Sequence, residues 1–249
     1  MLQGRHALVT GGGTGIGLAI AQALAGAGAQ VTITGRRAEV LNKAAGPRLH
    51  PMVMDVQSED SVATTIAAAI AARGPVTICI ANAGIAEGRA ITKTDLAFWR
   101  RILSTNLDGA FLTIRDCLPG MKAEGWGRVI AIASIAGVRG LKGAPAYTAS
   151  KHGLIGLIRG LSEDYLGTGI TCNAVCPAYV ATDIVTQNAT SIAQRAGISE
   201  EKAMGLMLSA NRHGRLLDPD EVAAAVMWLV GPGSGSVNGQ TIEIAGGQA

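Results

Sequence analysis

The chain has 249 residues, of which 48% are hydrophobic and 16% charged, with a formal net charge of +3. That length suits one sheet-based domain with a large core, and the weak, scattered basic excess argues against a nucleic-acid partner. No apolar run is long enough to span a membrane. The first strand-like run starts within a few residues of Met1, which leaves no room for a signal peptide, and the four cysteines lack paired Cys-x-x-Cys spacing, so a cytoplasmic protein with reduced, buried thiols and no metal site is expected.

Arg5 to Thr10 reads as a buried strand, followed by Gly11-Gly12-Gly13-Thr14-Gly15-Ile16-Gly17 and a helix-forming run from Leu18 to Leu24. Glycines at a strand-to-helix turn let main-chain N–H groups and a helix N-terminus approach a phosphate. The spacing is Thr-Gly-x-x-x-Gly-x-Gly and differs from the G-x-G-x-x-G of the broad dinucleotide-binding class. The second strand-like run, residues 30–34, leads into Gly35-Arg36-Arg37. An acidic residue there would accept hydrogen bonds from an adenosine ribose and repel a 2′-phosphate, whereas the planar guanidinium of Arg36 suits one, with Arg37 as its more solvated neighbour. Further runs at 51–54, 76–81, 128–133, 170–175 and 240–244 alternate with helical stretches. Such alternation predicts an α/β fold, a Rossmann-like doubly wound parallel sheet of about seven strands with ligands at the carboxyl ends of its strands. One domain is expected over 1–249, with nucleotide and catalytic residues mainly in 1–182. The long, partly helical stretch 183–217 breaks the rhythm and is expected to cover the substrate, an ordinary surface helix pair being the alternative.

Tyr147 and Lys151 lie four residues apart and share a helix face. A free phenol has a pKa of about 10, and a neighbouring cation lowers it, which makes an acid able to protonate a carbonyl oxygen or deprotonate an alcohol. The spacing alone is common, so its meaning depends on Ser134 and Asn106 upstream. A hydrolase triad through His152 is excluded because no Gly-x-Ser-x-Gly elbow accompanies it. The helix from Ala146 to about Leu166 carries Leu154, Ile155, Leu157, Ile158 and Leu161 with three glycines, more apolar surface than one sheet covers, and a second copy of the chain is expected against it. Arg139 and Lys142 read as solvated loop charges, contacts to coenzyme A phosphates being the alternative.

The Thr10–Gly17 loop, Asn82-Ala83-Gly84, Asn106, Ser134 and the Tyr147/Lys151 pair, in this order over essentially the whole chain, resemble the short-chain dehydrogenase/reductase family. The resemblance implies an NADP(H)-dependent oxidoreductase that interconverts a ketone and a secondary alcohol, with NAD less expected because of Arg36. It implies that Ser134 donates to the substrate oxygen, Tyr147 exchanges its proton, Lys151 lowers the phenol pKa and binds the nicotinamide ribose, and Asn106 holds a water that joins Lys151 to solvent. Gly11, Thr14, Gly15, Ile16 and Gly17 would bind the pyrophosphate, Asp55 and Val56 the adenine, and Asn82, Ala83 and Gly84 the adenosine ribose. Pro177, Val180 and Thr182 would meet the nicotinamide carboxamide. Ala81 and Ala178 depart from the family's usual Asn and Gly. Gly143-Ala144-Pro145-Ala146 stands where fatty-acid ketoacyl reductases have a Gln-Ala-Asn run before the tyrosine. The segment Cys172 to Pro177 and the Tyr147 helix are similar to ketoreductases acting on 3-oxoacyl thioesters and polyketides, so such a thioester or a related aliphatic or alicyclic ketone is the expected substrate. A homodimer or homotetramer is implied. An NAD-linked alcohol, sugar or hydroxyacyl dehydrogenase, and a silent dinucleotide-binding sensor or scaffold, are the alternatives.

Overall fold

Apolar residues on both faces of each strand run call for a sheet covered on both sides. The computed structural model, which describes residues 1–247, has one: seven strands, all parallel, in the order β3-β2-β1-β4-β5-β6-β7. The last two residues of the expected domain, Gln248 and Ala249, lie outside the described residues. The strands are β1 (His6–Thr10), β2 (Gln30–Gly35), β3 (Leu49–Val53), β4 (Val76–Ala81), β5 (Gly127–Ile132), β6 (Ile170–Pro177) and β7 (Thr241–Ile244). β3 begins two residues earlier than its apolar run suggests, since Leu49 pairs with Val31, and β6 continues through Pro177, which pairs with Ile244.

Alternate residues of each strand enter opposite cores. Ala7 and Val9 face α1 (Gly15–Gly26), α2 (Ala38–Lys43) and α9 (Pro219–Val230), while Leu8 faces α3 (Glu59–Arg73), α5 (Gly109–Glu124) and α6 (Pro145–Asp164). Strand order reverses between β1 and β4, and there the crevice opens at the carboxyl ends. α4 (Leu96–Leu103) runs into a π-helical segment, Ser104–Asp108, before α5. The stretch expected to cover the substrate forms α7 (Asp183–Ala196) and α8 (Glu200–Ala210), which share a small apolar core of their own around Val185, Ala189, Ala203 and Met207. No helix is long and apolar enough to cross a membrane among the described residues.

α6 is covered by its own chain more fully than its composition suggests. Leu154, Ile155 and Ile158 are buried, Leu157 and Leu161 half-buried, and the open side carries His152, Gly156, Arg159, Gly160 and Glu163. Cys79, Cys117, Cys172 and Cys176 are free and buried.

Candidate active site

The glycine loop is shaped by close approaches. A Cβ on Gly17 would stand 2.3 Å from the Gly11 carbonyl oxygen and 2.5 Å from Asn82 Nδ2, so only glycine lets α1 start this near the loop. Asn82 ties β4 to the loop: Nδ2 donates to the Thr10 carbonyl at 2.8 Å, and the N–H groups of Asn82 and Ala83 donate to Thr10 Oγ1 at 3.0 and 2.9 Å. The Asn82 side chain thus braces the loop, and what it offers a ribose is its main chain. Thr14 precedes α1 in an extended conformation without a side-chain capping bond, which leaves the first N–H groups of the helix directed to the cavity.

Ser134 follows β5. Its Oγ accepts from Ala136 N–H at 3.1 Å and starts a short 3-10 turn, Ile135–Gly137. A Cβ on Gly137 would lie 2.9 Å from the Lys151 carbonyl, so glycine allows this turn to pack directly on α6. The approach brings Ser134 near the Tyr147 phenol, where it favours the ionised form. Lys151, 5% exposed, donates from Nζ to the Ile132 carbonyl at 2.9 Å, and Nζ is 5.9 Å from the centre of the Tyr147 ring.

The electrostatics differ from the expectation that Lys151 lowers the phenol pKa. Burial pushes Tyr147 up to about 12, Ser134 opposes this, and Tyr179 and Cys176 add to it. Desolvation of a phenolate outweighs an ammonium that points at a carbonyl. Lys151 is itself brought down to about 8 by burial, so it holds its proton at neutral pH by a narrow margin. The phenol is therefore a stored acid.

Asn106 lies in the π segment, a geometry that recurs at functional sites. Its Oδ1 accepts from Ile85 N–H at 2.8 Å, and Nδ2 donates to the Ile85 carbonyl and to Ser150 Oγ, both at 3.0 Å. Both amide hydrogens are engaged by protein, so the side chain braces the start of α6 behind Lys151 and has one acceptor site left for a water.

Loop, serine, tyrosine and lysine line one cavity of about 500 Å³, with Gly11, Thr14 to Gly17, Asn82 to Gly84, Pro177, Val180 and Thr182 on its wall. Arg36 and Arg37, after β2, and Asp55 and Val56, after β3, lie outside that wall. Arg36 is exposed, and no partner for its guanidinium is found among the described residues. Arg37 starts α2. Asp55 uses Oδ1 for the Gln57 N–H at 3.0 Å, while Ser58 caps α3. The Val56 side chain is buried against Gly109, so only its main chain can face a ligand.

These residues fit a nicotinamide dinucleotide. Uncapped N–H groups would meet the pyrophosphate, Asn82 to Gly84 would form the floor, and Thr182, whose hydroxyl donates to the Val180 carbonyl at 3.3 Å, would close the other end. Residues that sequence reasoning passed over also line the cavity, notably Tyr179, Asn188 and Ile192. Tyr179 stood inside the Pro177–Thr182 motif, and a lone aromatic between two nicotinamide contacts was the available signal. Lys142 is an exposed residue of the rim, whereas Arg139 is half-buried and is no simple solvated charge. No group of His, Cys, Asp and Glu suited to hold a metal occurs among the described residues.

A family model described as short chain dehydrogenase matches residues 5–193. The D-beta-hydroxybutyrate dehydrogenase of Cupriavidus necator is 35% identical over 99% of this chain and 98% of its own. An acetoacetyl-CoA reductase of Rhizobium meliloti is 35% identical over 78% of this chain and 76% of its own. Among solved structures, that of a single-residue variant of actinorhodin polyketide ketoreductase with NADPH superposes with a TM-score of 0.95 at 34% identity, covering 99% of this chain and 98% of that one. With the serine, tyrosine and lysine gathered beside a dinucleotide cradle, the chain belongs to the short-chain dehydrogenase family, oxidoreductases that use a nicotinamide dinucleotide to interconvert carbonyl and alcohol.

Proposed function

We propose that this protein reduces the ketone of a 3-oxoacyl thioester or a closely related ketone with NADPH. The observation that carries this reading is that Ser134, Tyr147 and Lys151 line one cavity with the glycine loop. When bound, the reduced nicotinamide supplies a hydride to the carbonyl carbon. Ser134 donates a hydrogen bond to the substrate oxygen as that oxygen gains negative charge, and Tyr147 transfers its proton to it. Lys151 holds its positive charge nearby at neutral pH and would meet the nicotinamide ribose through Nζ, and Asn106 keeps α6 in register through Ser150. A water on the remaining acceptor site of Asn106 would link Lys151 to solvent.

The preference for NADPH rests on Arg36, an exposed guanidinium at the end of β2 where an acidic residue would mark NAD. Asp55 and the Val56 main chain would meet the adenine. The names of the relatives support the substrate class, which includes acetoacetyl-CoA and polyketide ketones. Helices α7 and α8 act as the cover, since Ile184, Val185, Asn188 and Ile192 of α7 line the cavity. Pairing with a second copy through α5 and α6 is supported by the open side of α6, where a Cβ on Gly156 or Gly160 would meet nothing within 4 Å, and by Phe111, 45% exposed on α5. Such a dimer, or a tetramer of two, would work in the cytoplasm, where the four free thiols stay reduced.

One observation favours a second reading: the hydroxybutyrate dehydrogenase relative spans nearly the whole chain, and its name describes oxidation of a 3-hydroxy acid. The two readings share the site and differ in cofactor and direction. Tyr147→Phe is expected to lower kcat for acetoacetyl thioester reduction by roughly 10²–10⁴-fold while NADPH affinity changes less than about twofold. NADPH consumption followed by absorbance checks this, and a variant retaining most of its activity would remove Tyr147 from the acid role.

A further inference from the structure

Asn211 follows α8 and is 1% exposed, so a polar side chain stands in the interior and has to find partners there. Oδ1 accepts from the Tyr179 N–H at 3.0 Å, and Nδ2 donates to the Tyr179 carbonyl at 2.9 Å and to the Arg215 carbonyl at 2.7 Å. One amide thus meets both polar groups of the Tyr179 main chain, as a neighbouring strand would.

The sheet itself gives out just before this point. Pro177 and Ile244 are the last residues paired between β6 and β7, and the Ala178 N–H donates to the Ile244 carbonyl at 2.9 Å. Beyond Ala178 the chain is held by the turn after α8. The Leu217 N–H donates to the Tyr179 carbonyl at 2.9 Å, and the Leu217 carbonyl accepts from the Ala181 N–H at 2.8 Å. That turn is closed by the Gly214 N–H, which donates to the Asn211 carbonyl at 2.8 Å. The N–H groups of Tyr179 and Ala181 therefore face the turn. The Val180 N–H between them falls on the opposite side of the extended chain and has no main-chain acceptor among the described residues. Tyr179, Val180, Ala181 and Thr182 all line the cavity, whereas Asn211 does not, so any effect of Asn211 on a ligand passes through Tyr179.

We propose that Asn211 is a positioning residue for the nicotinamide: it fixes Tyr179, and with it the Val180 N–H and the Thr182 hydroxyl, in place before the cofactor arrives. The proposal rests on the reading of Val180 and Thr182 as the carboxamide contacts. A contact segment ordered in advance loses less freedom on binding. Without the Asn211 amide the Tyr179 N–H is left buried and unpaired, and the segment relieves that cost by shifting away from the place where it meets the ligand.

The test compares two ligands by calorimetry on the full chain: NADPH, and adenosine 2′-phosphate 5′-diphosphoribose, which keeps the adenine and phosphates but lacks the nicotinamide. The variants are Asn211→Asp, which loses the donors, and Asn211→Ala, which loses donors and acceptor. Wild type is expected to bind NADPH at least about tenfold more tightly than the fragment. Each variant is expected to lose about tenfold of that preference, with fragment affinity within about twofold of wild type. A residue that served stability alone would lower Tm and leave the preference intact, or weaken both ligands together, and either result overturns the positioning role. Hydrogen exchange of ligand-free wild type needs no variant: the Tyr179 and Ala181 amides should exchange at least about 100-fold more slowly than in an unstructured peptide. Exchange at the unstructured rate would show that the segment is not ordered in advance and would overturn the proposal. Equal binding of NADPH and the fragment by wild type would instead overturn the reading of Val180 and Thr182 as nicotinamide contacts, and the role of Asn211 with it.

Discussion

Gly17→Ala probes the cofactor cradle through one methyl group. The new Cβ would stand 2.3 Å from the Gly11 carbonyl oxygen, 2.5 Å from Asn82 Nδ2 and 2.9 Å from the Gly11 carbonyl carbon, against the 3.4 Å at which ordinary contact begins. Relief requires the loop or α1 to withdraw by about 1 Å, because the obstacle is main chain and not the end of a flexible side chain. The loop has few ways to yield, since Thr10 belongs to β1 and Asn82 holds both the Thr10 and Gly11 carbonyls. A misplacement of about 1 Å at a site of fixed donors costs on the order of 10²-fold, which is about 2.7 kcal/mol of NADPH binding. Gly13→Ala is the matched control: its Cβ would meet the ends of the Leu41 and Val40 side chains at 3.2 Å, which can give. Its NADPH Kd should stay within about threefold of wild type. Kd from NADPH fluorescence and Tm from calorimetry should separate the two variants. If Gly17→Ala bound NADPH within about threefold of wild type at unchanged Tm, the reasoning that the pyrophosphate sits on this loop would fail.

Arg36→Ala should weaken NADPH by about 10–100-fold and NADH by less than about twofold, as expected for loss of a charged hydrogen bond to a phosphate; equal effects on both would exclude the 2′-phosphate contact. Lys151, brought down to about 8 by burial, loses its charge as pH rises through that value, so kcat/KM for the ketone should fall about tenfold per pH unit above it. A profile flat to pH 10 would show that the cation is not needed. His6, 2% exposed, bonds through Nδ1 to the Gly74 carbonyl and through Nε2 to Thr32 Oγ1, each at 2.8 Å, and Thr32 also accepts from Arg73 Nε at 3.0 Å. Burial foremost, then the Arg73 charge, lowers its pKa against the raising effect of the Gly74 carbonyl. Between the folded value and the unfolded one of about 6.5, the unfolded chain binds more protons, so stability is full above pH 6.5 and falls as pH drops through that window. Urea midpoints at pH 7.5 and 5.5 should show the loss in wild type and a smaller one in His6→Gln, and equal slopes would contradict this account.

Much of this protein was written in local pattern. Short β-branched runs alternating with helical stretches can satisfy both faces only in a parallel sheet with crossovers, so strand count and fold class followed from periodicity. The Gly11–Gly17 loop and the Tyr147–Lys151 spacing are likewise local, one a turn between adjacent elements and the other a single helix face. Arg36 needed only its place after β2.

What only the tertiary structure decided depends on residues distant in sequence meeting in a low-dielectric interior. Burial raises the Tyr147 phenol while Lys151 donates to the Ile132 carbonyl, so the net shift runs opposite to the one that the spacing suggests. Spacing says that two side chains share a face, and desolvation, set by everything packed around them, decides which charge state is favoured. Asn82 and Asn106 became braces because their partners, Thr10 and Ile85, arrive from other elements. Tyr179 joins the cavity wall only after the sheet has formed and Asn211 has pinned the strand end beside the cover helices.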